Sequence, residues 1–288
     1  MKEQTRLEYT PITERTFDLP ENNNVAFWVI PNLEHFKFDD SFAGAAPDPG
    51  VRPDVLNYGW RQYGLRVGVW RIMSILDSYD ITATAALNAD VCKYEPEVVE
   101  AAMDRDWEIM GHGVTNSDPL GGKSTEKQVE IIEETRDRIH DFTGTPPEGW
   151  LGPALQETEE TPDLLADAGF AYLCDWCSDD QPHKINVNTG DLISVPYSVE
   201  INDYDMVVHS RYTGPQIEQR IKDQFDVLYE EGEEKGNAKV MALSLHPMMM
   251  GQPHRSKYLD RALNYITDHD NVWITTGSEI ANWYQKQQ

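Results

Sequence analysis

The stretch Trp107-Glu108-Ile109-Met110-Gly111-His112-Gly113 decides how this chain of 288 residues is read. A short apolar run breaks off at an imidazole set between two glycines, which let a substrate or a second backbone come close. The pattern recurs along the chain. The run at 25–31 ends in Asn32-Leu33-Glu34-His35, that at 171–174 in Asp175, and that at 240–245 in His246-Pro247. Further β-rich runs occupy 81–87, 150–152, 192–196 and 272–275. Segments with helical spacing alternate with them at 64–79, 95–105, 125–142, 162–168, 215–231, 257–269 and 278–286. Such alternation predicts a parallel sheet covered by helices, closed as a barrel or open and doubly wound. In both architectures the side chains at the carboxyl ends of the strands converge on one mouth. That rule brings Glu34, His112, Asp175 and His246 to one rim.

Composition narrows the possibilities. With 40% hydrophobic and 26% charged residues the chain suits a soluble globular protein, expected as one domain over 1–288 with a polar N-terminal extension at 1–20. Its 24 Lys and Arg against 50 Asp and Glu give a net charge of −26, which repels phosphate backbones and anionic lipid, so neither nucleic acid nor membrane is expected as a partner. The first twenty residues hold no apolar core of signal-peptide length, and a cytoplasmic location is the expectation. Three cysteines, Cys92, Cys174 and Cys177, supply no disulfide framework; the last two have the spacing of a redox or zinc pair but no second pair to join.

The run ending in His112, the Ser244-Leu245-His246-Pro247 stretch and Asp179-Asp180-Gln181-Pro182 resemble motifs of the polysaccharide deacetylase (NodB-homology, carbohydrate esterase 4) superfamily. Asn32 and Glu34 after the first strand, the segment Tyr63-Gly64-Leu65-Arg66-Val67-Gly68-Val69-Trp70-Arg71, and the stretch from His246 to Gln252-Pro253-His254-Arg255 are similar to its allantoinase and cyclic-imide-hydrolase branch. The resemblance spans residues 24 to 283. It implies a distorted (β/α) barrel of seven to eight parallel strands, hydrolysis of a carbon–nitrogen bond outside peptides, and assembly as a homo-oligomer.

Departures from the superfamily pattern bear on mechanism. Its metal-dependent deacetylases place two aspartates after strand one and a His-x-x-x-His pair at the second motif, whereas this chain has Asn32, Glu34, His112 and Asn116. An amide oxygen is a poorer zinc ligand than an imidazole, so Glu34 and His112, with Asn116, are the candidate ligands of a divalent metal, and a metal-free site is the alternative. Hydrolysis needs an activated water, a stabilised oxyanion and an acid for the departing nitrogen. Glu34 with His112 is assigned to the water, Asn32 or Asn116 to its orientation, and His246 to the leaving group. Asn116, Trp150, Asp175, Asp180 and Arg255 are candidates for substrate binding. Asparagine also favours turns, and the acids also suit a solvated surface. The expected activity is hydrolysis of a small amide, ureide or cyclic imide. The rivals are a metal-dependent deacetylase of N-acetylated sugars and an inactive barrel that binds a carbohydrate or metabolite.

Overall fold

Nine consecutive residues, Val25–Leu33, are all buried, the mark of a strand covered on both faces. The computed structural model describes residues 6–39 and 44–288. Its strands are β1 (Val25–Leu33), β2 (Thr84–Leu87), β3 (Glu108–Gly111), β4 (Gly149–Trp150), β5 (Tyr172–Leu173), β6 (His183–Ile185), β7 (Leu192–Ser194), β8 (Lys239–Leu245) and β9 (Val272–Ile274). They form one sheet in the order β6-β7-β5-β4-β3-β2-β1-β8, with β9 also paired to β1.

β1 is the hub. It runs parallel to β8 from Val25 opposite Lys239 to Pro31 opposite Leu245. β9 takes its start, at Val25 to Phe27, and β2 its end, at Asn32 and Leu33. All pairings are parallel except β6 with β7. Curling brings the far side of the sheet back towards β8, where a single bridge joins Asn202 to Ser244. The result is the distorted barrel of parallel strands that the sequence led us to expect, with an antiparallel edge strand it did not disclose.

Alternation along β1 divides the core. Val25, Phe27 and Val29 pack under the helices, while Ala26, Trp28 and Ile30 pack with Met110, Leu151, Tyr172 and Cys174. The Trp28 indole donates to the Pro196 carbonyl at 3.2 Å, so the large buried ring keeps its polar atom satisfied.

Two segments differ from expectation. The helix placed at 64–79 starts earlier, at Val55, where the Asp54 side chain accepts from the Asn57 N–H at 3.1 Å as a cap. It runs through a π-helical turn, Gly64–Gly68, before continuing as Val69–Asp77. That turn lies against the short helix Pro247–Met250, and a Cβ on Gly68 would stand 2.0 Å from the Pro247 carbonyl oxygen. Thus the two stretches quoted for the branch resemblance are one packed unit. The expected polar extension at 1–20 is docked over its described part: Phe17 and Leu19 are buried, Phe17 bridges to Asn237, and Arg6 pairs with Asp163 at 2.5 Å.

Candidate active site

Glu34, His112 and His246 each stand immediately past the end of β1, β3 and β8, and the curled sheet brings the three together. One carboxylate oxygen, Glu34 Oε1, lies 3.6 Å from His112 Nε2 and 3.5 Å from His246 Nε2. Asn116 Nδ2 donates to the same oxygen at 2.7 Å. All three ionisable side chains are buried, so each must be held by partners.

Those partners fix the orientation of both rings. His112 Nδ1 faces the Leu151 carbonyl at 2.5 Å. A carbonyl only accepts, so Nδ1 carries a proton, and Nε2 points at Glu34. His246 Nδ1 meets Asp203 Oδ1 at 2.7 Å, and the fully buried Asp203 carboxylate also accepts the His246 backbone N–H at 2.9 and 2.8 Å. Below the rings, Asn88 Oδ1 accepts the His35 N–H at 2.8 Å while its Nδ2 donates to the His112 carbonyl, tying the ends of β1 and β3 across β2. Asn32 Nδ2 donates to Ser244 Oγ at 3.0 Å and to the carbonyls of Ile30 and Leu245, each at 3.2 Å.

The electrostatics follow. Burial would raise the Glu34 pKa, but His246 and His112 reverse that and hold it down to about 2. Burial would lower the His246 pKa, but the Glu34 and Asp203 carboxylates raise it to about 10. At neutral pH the site therefore holds a carboxylate and an imidazolium as neighbours. Two acceptor atoms beside them, Glu34 Oε2 and Asn116 Oδ1, are buried without a protein partner. They border a cavity of about 280 Å³, which Asn32, His112, His246, Arg61, Phe36, Leu151, Tyr197 and Tyr204 also line.

Among the candidates for substrate contact, only Asn116 lines this cavity. Trp150 is fully buried in a separate core cluster, edge-on to Phe170 at 5.4 Å, because β4 turns it towards the helices. Asp175 stands behind the wall: its Oδ1 accepts the Gly152 N–H at 2.7 Å, and Gly152 is the residue that faces the cavity. Asp180 is exposed, and its backbone carbonyl accepts from Val240 N at 2.8 Å, away from the mouth. Arg255 directs its guanidinium to the Met249 carbonyl at 3.5 Å. For the Cys174 and Cys177 pair, burial pushes both thiols up, the second to about 12, which opposes the thiolates that redox or zinc chemistry requires.

Sequence reasoning missed Asp203, Arg61, Tyr197 and Tyr204. Polar residues past a strand end were the available signal; after β7 it leads to Tyr197, but Asp203 lies beyond a further loop. Arg61 sits on a helix, where no strand-end rule applies.

The donor set fits a tightly held divalent metal poorly. Glu34 and His112 do meet, yet Asn116 turns its NH₂ to Glu34, and His246 is engaged by two carboxylates. Among the described residues no group of three or more His, Cys, Asp or Glu is arranged to hold a metal ion, whereas catalytic zinc takes three protein ligands. No helix among them is long and apolar enough to cross a membrane.

A family model described as polysaccharide deacetylase matches residues 58–173. The chain is 27% identical over 298 residues to a Schizosaccharomyces pombe protein named "Putative polysaccharide deacetylase", covering 93% of this chain and 92% of that one. It is 21% identical over 267 residues to the peptidoglycan deacetylase of Helicobacter pylori, covering 82% and 89%. Among solved structures, Puue allantoinase superposes with a TM-score of 0.86 at 28% identity, over 94% of this chain and 93% of that one. With the curled parallel sheet and the strand-end carboxylate and imidazoles, these matches show a chain similar to the polysaccharide deacetylase (NodB-homology) superfamily and indicate a hydrolase of carbon–nitrogen bonds other than peptide bonds.

Proposed function

We propose that the protein hydrolyses a small amide, ureide or cyclic imide without a metal, using Glu34 as base and His246 as acid. The observation that carries this reading is the single oxygen, Glu34 Oε1, lying 3.6 and 3.5 Å from two imidazole nitrogens at the edge of a small cavity. A carboxylate near pKa 2 is a weak base at rest. The remedy lies in the coupling itself. Water held by Glu34 and His112 Nε2 attacks the carbonyl carbon and loses a proton to Glu34, while His246 passes its Nε2 proton to the departing nitrogen and the C–N bond breaks. Once His246 is neutral, the charge that depressed Glu34 is gone and the carboxylate becomes more basic. Proton transfer from Glu34 to His246 over 3.5 Å then restores the starting state. Asp203 stabilises the imidazolium and keeps its Nε2 turned to the cavity.

A cyclic imide suits this route, because its nitrogen leaves as a carboxamide and needs less help than an amine. The allantoinase likeness supports a small ureide or imide over a glycan, and so does the cavity of about 280 Å³. The names of the two sequence relatives favour the second reading, a metal-dependent deacetylase of N-acetylated sugars. Product analysis on hydantoin, succinimide, allantoin and N-acetylglucosamine, before and after exhaustive chelation, separates the two. Turnover of a ureide or imide that survives chelation is the expected result. Activity that vanishes with the metal and returns with zinc would overturn the metal-free mechanism.

A further inference from the structure

We propose that Glu157 and Asp175 share a single proton and that this acid–carboxylate pair clasps the loop 152–157 into the wall of the active-site cavity. The two side chains are hydrogen-bonded to each other. Each also grips the other's segment. Asp175 Oδ1 accepts the Gly152 N–H at 2.7 Å, and Glu157 Oε2 accepts the Trp176 indole N–H at 2.9 Å. The remaining oxygens, Asp175 Oδ2 and Glu157 Oε1, are buried with no donor among the other described residues. Two carboxylates meeting through such oxygens would repel, and one proton between them turns the repulsion into a hydrogen bond.

Among the described residues no cation bonds to either carboxyl in the proton's place. Arg6, from the N-terminal segment, favours the ionised form of Glu157, but it directs its guanidinium to Asp163 at 2.5 and 3.0 Å and to the Glu159 and Asn186 carbonyls. On the Asp175 side stand the Cys174 and Cys177 thiols, which burial keeps protonated. Burial pushes both carboxyls up, and Asp175 well up because the Glu157 charge adds to it, so the proton belongs on Asp175. The clasp matters because of what the loop carries. Ala154 and Leu155 hold the left-handed backbone region, with φ of 57° and 55°, which residues with a side chain keep only when their surroundings impose it. Both line the cavity, and the Leu151 carbonyl at the loop's start holds His112 Nδ1 at 2.5 Å. Gly152 is tied down too closely for a side chain: a Cβ there would stand 2.7 Å from Asp175 Oδ2.

The test needs no substrate. On the full chain, Asp175→Asn and Glu157→Gln each put an amide N–H where the shared proton lies, so both should fold and keep the clasp. Neither variant needs to take up a proton. The raised Asp175 pKa gives stability that is complete below about pH 3.8 and is lost as pH rises through the folded value. From about pH 5.5 to 7 the wild-type folding constant, measured by urea denaturation, should therefore fall about tenfold per pH unit relative to either variant. The infrared difference between wild type and Asp175→Asn at neutral pH should carry the carbonyl stretch of a protonated carboxyl. In the double variant the two amides cannot pair without turning an N–H towards another donor, Gly152 N or Trp176 Nε1, so the clasp opens. His112 Nδ1–H should then exchange with solvent about 10-fold faster or more than in either single variant. Parallel pH slopes, a missing carboxyl band, or equal exchange in single and double variants would each overturn the proposal, as would failure of both single variants to fold. The pH slope decides even if the double variant fails to fold.

Discussion

Glu34 and His246 titrate in opposite directions, and each owes its shift to the other. His246 is raised from 6.5 to about 10, so the stability it contributes is complete below about pH 6.5 and is lost as pH rises through about 10. Glu34 is lowered from 4.5 to about 2, so its contribution is present above about pH 4.5 and is lost as pH falls through about 2. Urea denaturation of the wild type and His246→Gln across pH 5 to 10 should give a stability gap that narrows towards alkaline pH; a constant gap would mean that the ring is not charged in the fold. Catalysis should follow the same pair. Glu34→Gln should lower kcat by about 10²- to 10⁴-fold. Asp203→Asn removes one of the two charges that raise His246, so the alkaline limb of the pH–rate profile should move to lower pH.

At the scale of elements, strand ends were the most legible part of the sequence. Glu34, His112 and His246 stood out because each follows an apolar run, and a continuous apolar run that stops at an ionisable group is visible in one dimension. Asp203, Arg61 and the β6 edge were not, because their roles depend on curling and on helix placement that no local pattern encodes. Trp150 was misassigned for a related reason: a side chain next to a strand end faces either the mouth or the helices, and a two-residue strand such as β4 has no alternation to say which. The π-helical turn was hidden too, although Gly64 and Gly68 mark it once the partner is known. At Gly68 the neighbour is backbone, which cannot swing away. Gly68→Ala should therefore cost about 1–3 kcal/mol in a urea melt and lower activity as well, because the displaced segment begins one residue after His246.

For the whole molecule, 50 acidic against 24 basic side chains make self-repulsion a standing cost of the fold. Many of the cations are already spent in pairs such as Arg6 with Asp163, Arg105 with Asp77 and Arg138 with Asp90. The excess charge is therefore acidic and in large part solvated, where salt screens it over about 10 Å at 0.1 M. The melting temperature should rise with sodium chloride up to about 1 M, and a flat curve would show that this repulsion costs the fold little.

The hub position of β1 bears on how the protein is made. β1 leaves the ribosome first among the strands, but the seven-residue ladder it needs with β8 begins at Lys239, and β9 follows later still. Some 200 residues separate the partners, so at about 5–20 residues per second the hub waits roughly 10–40 s with its apolar edge open. The nascent chain is thus most exposed to aggregation through its earliest strand, and a chaperone that shields Val25–Leu33 until translation ends would raise the yield more than one acting on the finished barrel.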